Sequence, residues 1–163
     1  MKRNIIFLIL LFAFISCKDH RKEIVKNEVI NHIGTSIVLP DSLQYRTLTD
    51  SLVPVPDKPL KIVTIINGEC FLCLNQFIDW KKEINTFTSA GDVAVLFYVR
   101  TSDFESLKKP LSDIEFDYPF FIDPKCDILY LNNISEKQSM LHTFLLDKDN
   151  RLCSSVRHWE IPN

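Results

Sequence analysis

An α/β fold is predicted: a central mixed β-sheet flanked by helices, preceded by an N-terminal helical and loop extension. Three observations lead to it. Ile62-Val63-Thr64-Ile65-Ile66 is strand-like and gives way within a few residues to apolar positions at helical spacing, Cys73, Phe77, Trp80 and Ile84. Val93 to Val99 is a nearly all-apolar run, as expected of a strand covered on both faces. His142 to Leu146 and Arg151 to Val156 are shorter strand-like runs joined by Asp147-Lys148-Asp149-Asn150, a hairpin turn in which Asn150 can adopt a left-handed conformation.

The first element is a leader rather than part of the fold. Lys2 and Arg3 are followed by an apolar run from Ile5 to Ile15, shorter than the roughly 20 residues that span a bilayer. It suits a secretory signal, and residues 1–16 are read as one. The run ends in Ser16-Cys17 and turns at once to charged residues. Small residue, cysteine and abrupt polarity resemble a bacterial lipobox, which implies that Cys17 is acylated and tethers the chain to a lipid membrane. An ordinary signal peptide or short anchor, with Cys17 incidental, is the alternative. Lys18-Asp19 is similar to signals that send some lipoproteins to the cell surface.

Residues 17–59 form the extension. Glu23 to Ile30 has apolar residues at helical spacing and is expected to be a leading helix ending near Gly34. Thr35 to Pro59 contains four prolines; Ile37-Val38-Leu39 is a candidate edge strand and the rest reads as loop.

Residues 60–163 hold the main domain. Leu60 to Ile66 is expected to be a strand, Cys70 to about Phe87 a helix, and Asp92 to Val99 a second strand. Thr101-Ser102-Asp103 supplies N-cap residues for a helix through about Leu111, with Glu105 placed to complete a capping box on Ser102. Tyr118 to Ile122 is a short strand, and Pro124 starts a helix-like turn through Leu131. A right-handed β-α-β unit, a further helix and connection, and a terminal antiparallel hairpin follow from this order. After Val156 only Arg157 to Asn163 remain, where Trp159 and Ile161 either cover a sheet face or leave it open to a partner.

Composition narrows the function. Without the leader, 147 of the 163 residues remain, enough for one domain with a real core. Loss of Lys2 and Arg3 leaves 17 of the 19 basic side chains against 21 acidic ones, a net charge of −4. No basic patch with interleaved aromatics appears, so nucleic acid is not an expected partner. Gly34, Gly68 and Gly91 are the only glycines, so there is neither a Gly-rich phosphate loop nor a G-x-S-x-G nucleophile turn. Export to an oxidising compartment makes the cysteines chemically interesting. Cys70-Phe71-Leu72-Cys73 closes too small a ring to staple a fold, so its expected use is redox chemistry, with no cofactor.

At this point the chain resembles the thioredoxin-like superfamily, in its TlpA/ResA-like and AhpC/TSA-like membrane-anchored branch. The resemblance rests on Lys61 to Ile66, on Cys70 and Cys73 followed by Trp80, on Phe120-Phe121-Ile122-Asp123, and on Thr143 to Asn150. It covers about Ile37 to Val156. The leader Ile37 to Leu43 is also similar to that of lipoproteins from gut-type diderm bacteria, which implies a cell-envelope location, facing the periplasm or the cell surface.

The expected chemistry is thiol–disulfide exchange with a protein or small-molecule substrate. Cys70 at a helix N-terminus faces unpaired backbone N–H groups, which lower its pKa and make it the attacking thiolate. Cys73, one turn in on the apolar face, is the more buried, resolving thiol. Two departures stand out. Thioredoxins usually carry tryptophan where Glu69 stands. That carboxylate either raises the pKa of the adjacent thiolate by like-charge repulsion, faces solvent, or relays protons. The family also has a cis-proline at the start of the hairpin, where Leu141 stands here. A non-proline cis bond costs about 2.5–4 kcal/mol, so a trans bond and an altered substrate groove are expected. Glu69, Phe71, Leu72, Leu141 and His142 are the candidate groove residues, with His142 also able to stabilise a thiolate.

Alternatives remain. A non-catalytic binding module would keep the dithiol bridged or vestigial. A peroxidase lacks its Pro-x-x-x-Thr-x-x-Cys motif here. Zinc held by Cys70, Cys73 and Cys126, Cys153 or His142 lacks a second C-x-x-C or H-x₃₋₅-H partner, so no metal is expected. Cys126 and Cys153 are expected to be buried free thiols first, a structural disulfide or second redox pair otherwise.

Overall fold

Two parallel strands set the frame for everything around the dithiol. The computed structural model describes residues 32–89, 91–137 and 142–155. In chain order these form β1 (Tyr45–Arg46), β2 (Leu60–Asn67), a 3₁₀ turn (Phe71–Leu74), α1 (Asn75–Thr88), β3 (Val93–Arg100), α2 (Phe104–Asp113), β4 (Phe120–Ile122), α3 (Asp127–Tyr130), β5 (Thr143–Leu146) and β6 (Leu152–Ser155). The described strands make one mixed sheet in the order β1-β4-β3-β2-β5-β6. β2 and β3 run parallel at its centre, from Leu60 beside Val93 to Asn67 beside Arg100. β4 is parallel to β3, while β5 and β1 are antiparallel to their neighbours.

The continuous apolar runs of β2 and β3 follow from that central position, because side chains alternate between two covered faces. On one face Ile62, Ile66, Val95, Phe97 and Val99 pack with Phe77, Trp80 and Ile84 of α1 and Leu107 and Leu111 of α2. Aromatic edges lock this layer: Phe77 and Phe116 lie 4.9 Å apart, Phe97 and Phe116 5.2 Å, Trp80 and Phe97 5.7 Å. Edge-to-face pairs of this kind are favourable beyond the area they bury. Tyr45 and Tyr98 sandwich Phe121, at 4.8 Å and 4.6 Å. At the hairpin, Asn150 takes the expected left-handed conformation, φ 56°, while Asp147 accepts from the Asp149 and Arg151 N–H groups.

Several expectations are corrected. Ile37 to Leu39 is not an edge strand, because its backbone groups are already engaged. Ile37 N–H donates to Asn150 O, and the Asn132 amide clasps both the N–H and the carbonyl of Val38. The edge strand is instead Tyr45–Arg46, held by the buried Tyr45 ring. The capping box on Ser102 does not form: Asp103 is the N-cap, accepting from Ser106 N–H at 3.0 Å. Glu105 pairs with Lys108. Cys153 is exposed rather than buried, whereas Cys126 is buried, and both are free thiols.

Among the described residues no helix is long and apolar enough to cross a membrane. The leader, Cys17, the expected Glu23–Ile30 helix, Leu141 and the Trp159–Ile161 tail lie outside the described residues.

Candidate active site: the dithiol and the cavity behind it

The dithiol sits where β2 leaves the sheet. Gly68 N–H donates to Arg100 O at 2.8 Å, tying the end of β2 to β3. A side chain here would be crowded: a Cβ on Gly68 would lie 3.1 Å from Val99 Cγ1 and 3.2 Å from Arg100 O. The Asn67 side chain then accepts from Glu69 N–H at 3.0 Å and turns the chain into Cys70.

Cys70 is the N-cap of the 3₁₀ turn, and the Cys73 N–H donates to its carbonyl at 2.9 Å. The tight turn runs directly into α1, so the dithiol spans a 3₁₀ turn where a continuous α-helix was expected. The two sulfurs stand in different surroundings. Hydrogen bonds from the Cys73 thiol and the Cys73 and Leu72 N–H groups favour the Cys70 thiolate and pull its pKa down, against an opposing effect of burial. Cys73 moves the other way. Burial foremost, then its hydrogen bond to Cys70 and the Cys70 charge, push it up to about 11. The two thiols are free and neighbouring, and their environments move their proton affinities in opposite directions.

Glu69 is not stacked against the thiolate. Its Oε1 accepts from both the Ser102 N–H and the Ser102 hydroxyl at 2.7 Å, and these bonds lower its pKa. The carboxylate bridges the dithiol loop to the β3–α2 connection, which also explains why Ser102 is not free to cap α2.

The candidate groove residues do not line one cavity. Phe71 and Leu72 are 84% and 75% exposed beside Cys70. Phe71 borders a shallow apolar groove of about 250 Å³ with Leu74, Ile78, Pro110 and Ile114. His142 lines a different cavity, of about 310 Å³, shared with Cys73. Arg100, Glu136, Cys126, Gln76 and Asn67 complete the polar part of that wall. Arg100 and Glu136 form an ion pair at 2.9 Å. Cys126 caps α3 in a left-handed conformation, φ 55°, fixed by Asp123, whose buried carboxylate accepts from the Asp127 and Ile128 N–H groups. Burial raises the Cys126 thiol.

Sequence reasoning missed Arg100, Glu136, Gln76 and Asn67. A signal did exist for two of them: Asn67 and Arg100 end the parallel strands, and ligand sites in such sheets lie beyond the strand carboxyl ends. Among the described residues no group of three or more His, Cys, Asp or Glu side chains is arranged to hold a metal ion.

No protein-family model and no curated protein sequence matches the chain. Solved structures do. The thioredoxin domain of a thiol-disulfide oxidoreductase from Bacteroides vulgatus matches with a TM-score of 0.58 at 15% identity, covering 77% of this chain and 88% of that one. The fold is thioredoxin-like. A thioredoxin-like protein from Bacteroides caccae gives a TM-score of 0.55 at 15% identity over 80% of this chain and 48% of its own. The peroxidoxin BcpB from Mycobacterium tuberculosis gives 0.54 at 12% identity over 76% and 86%. Within the thioredoxin-like fold, Cys70 and Cys73 stand at the junction between the first central strand and its helix, at the carboxyl edge of the parallel pair.

Proposed function

We propose that this chain is a thiol–disulfide oxidoreductase of the cell envelope of a diderm bacterium, anchored to a membrane by an acylated Cys17 once residues 1–16 are removed. Cys70 attacks a substrate disulfide, giving a mixed disulfide and one released thiol. Cys73 then attacks Cys70, releasing the second substrate thiol and leaving Cys70–Cys73 oxidised. Two electrons pass from the dithiol to the substrate, and the reverse sequence oxidises a substrate dithiol. The relative reduction potentials set the direction.

The observation that carries this reading is the opposite displacement of the two thiols, Cys70 downward and Cys73 up to about 11. An attacking thiol needs the first and a resolving thiol held in reserve tolerates the second. The thioredoxin-like fold supports it, and no cofactor is called for. The test is reduction of a protein disulfide by the purified chain: Cys70→Ser and Cys73→Ser each abolish turnover, and full activity in both variants rejects the mechanism. For the anchor, fatty-acid labelling in cells is lost in Cys17→Ala.

A second reading, a binding module without turnover, is favoured by the exposure of Phe71 and Leu72, large apolar side chains offered to a partner beside Cys70. A Cys70–Cys73 disulfide that resists mild reduction in the folded protein marks that case.

A further inference from the structure

The cavity behind the dithiol is lined by both Cys73 and an imidazole with one unpartnered nitrogen. Cys73 enters it from the 3₁₀ turn, and His142 from the residue before β5. The His142 carbonyl accepts from the Ile65 N–H of β2 at 2.8 Å, so the ring is presented from the central sheet. One ring nitrogen is engaged by the Ser135 backbone. The other, Nε2, is buried and has no hydrogen-bond partner among the described residues. The Ser135 bond therefore falls on Nδ1, which donates, and this tautomer leaves Nε2 as a bare lone pair.

The dithiol chemistry contains a step that needs such a lone pair. In the reduced pair the Cys73 proton lies on a hydrogen bond to the Cys70 sulfur. Once Cys70 is part of a mixed disulfide its sulfur carries no charge, and the proton loses that acceptor. The carboxylates nearby are occupied. Glu69 is held by Ser102, Glu136 by Arg100, and Asp123 by two backbone N–H groups. A polar cavity of about 310 Å³ also has room for water to carry the proton across.

We propose that His142 is the general base of the resolving step, on the reading that Cys70 and Cys73 are a working redox pair. Nε2 takes the proton from Cys73 Sγ, and the Cys73 thiolate attacks Cys70 Sγ. The Cys70–Cys73 bond forms as the bond from Cys70 to the substrate sulfur breaks. The proton passes from Nε2 to the departing thiolate, or to water where that thiolate stays ionised, so the imidazole ends as it began. Burial keeps the ring neutral and ready to accept, by lowering its pKa against the opposing influence of Glu136 and the Ser135 bond. Arg100, Cys126 and Cys73 are the other titratable groups on the cavity wall. In this role His142 acts on the resolving thiol across the cavity that both residues line.

Rapid mixing of the full-length reduced chain, in a Cys17→Ser, Cys153→Ser background, with 5,5′-dithiobis(2-nitrobenzoate) separates the two steps, because each releases one coloured thiolate. Mass spectrometry assigns the cysteine modified in each phase. The first phase reports attack by Cys70 and the second reports resolution by Cys73. In His142→Gln the first phase keeps its wild-type rate, while the second slows by about 100-fold near neutral pH, the usual size of general-base catalysis. Its rate then climbs with pH towards the alkaline value of Cys73. Added imidazole restores the second phase in His142→Ala, a rescue that a merely structural role would not give. A second phase within about threefold of wild type in both variants, with an unchanged pH profile, overturns the proposal. A wild-type chain with no first phase at Cys70 overturns the redox reading itself, and the proposal with it. A first phase slowed as much as the second in both variants marks a structural role for His142 and also overturns it.

Discussion

Replacing Cys70 with serine leaves Cys73 alone in its pocket and asks how strongly its surroundings hold the proton. In the intact pair Cys73 is pushed from 9.0 up to about 11, with burial as the largest cause and Cys70 supplying the rest. Alkylation proceeds through the thiolate, and each unit of pKa changes the thiolate fraction about tenfold well below the pKa. A two-unit rise therefore makes Cys73 about 100-fold slower than an ordinary thiol at pH 7. Cys70→Ser removes the Cys70 charge and leaves the burial. The expected slowing is then about 10- to 100-fold, and the rate is still climbing where an ordinary thiol levels off. The assay is iodoacetamide labelling from pH 6 to 11, read peptide by peptide. Cys73→Ser provides the mirror case: the serine hydroxyl can replace the thiol as donor and the Cys73 and Leu72 N–H groups stay, so the remaining Cys70 reacts faster than an ordinary thiol. Equal rates for Cys70 and Cys73, with both midpoints near 9, would refute the argument that the pocket divides the pair.

The scaffold around the dithiol makes further predictions. Asp123 is 1% exposed and accepts from two N–H groups at the start of α3. Asp123→Ala leaves both unpaired and should cost about 2–4 kcal/mol in urea unfolding, with Asp123→Asn costing less; a loss under about 0.5 kcal/mol contradicts this. Hydrogen bonds from Ser102 and Ser106 hold the Glu69 and Asp103 carboxyls below their ordinary 4.5 and 3.8. A depressed folded pKa adds stability above the unfolded value that is lost as pH falls through the folded one. Melting temperature should therefore drop below pH 4.5, and Glu69→Gln with Asp103→Asn should shrink that drop. An equal drop in the double variant contradicts the assignment. Gly68→Ala places a methyl 3.1 Å from Val99 Cγ1 and 3.2 Å from Arg100 O. It should cost about 1–3 kcal/mol and displace the dithiol loop, read as slower Cys70 labelling.

Much of the fold was legible because it is written in local periodicity. The apolar stripe at Phe77, Trp80 and Ile84, the unbroken run of β3 and the Asp147–Asn150 turn each declare themselves within a dozen residues. The dithiol was legible for the same reason, since it stands where one period gives way to another. What stayed hidden is non-local. Glu69 reaches Ser102 across 33 positions and Arg100 reaches Glu136 across 36, and no pattern along the chain reports such pairings. The Ser102 capping box illustrates the cost: local spacing favoured it, but a distant carboxylate claims the serine and Asp103 caps instead. Tyr45–Arg46 is too short to show an alternation, and its place in the sheet comes from the ring it buries against Phe121. His142 was visible as a candidate, yet its bare nitrogen became apparent only once the cavity and the Ser135 bond were in view.

The division of labour between the two cysteines is tested most directly by intact-mass measurement of adducts after incubation with a disulfide-containing peptide. In a Cys17→Ser, Cys153→Ser background, Cys73→Ala should retain one peptide, attached at Cys70. Cys70→Ala should retain none, and the parent chain with both dithiol cysteines should pass to an internal disulfide lighter by two hydrogens. A stable adduct on Cys73 in Cys70→Ala, or none on Cys70 in Cys73→Ala, would contradict the assignment of Cys70 as nucleophile and Cys73 as resolver.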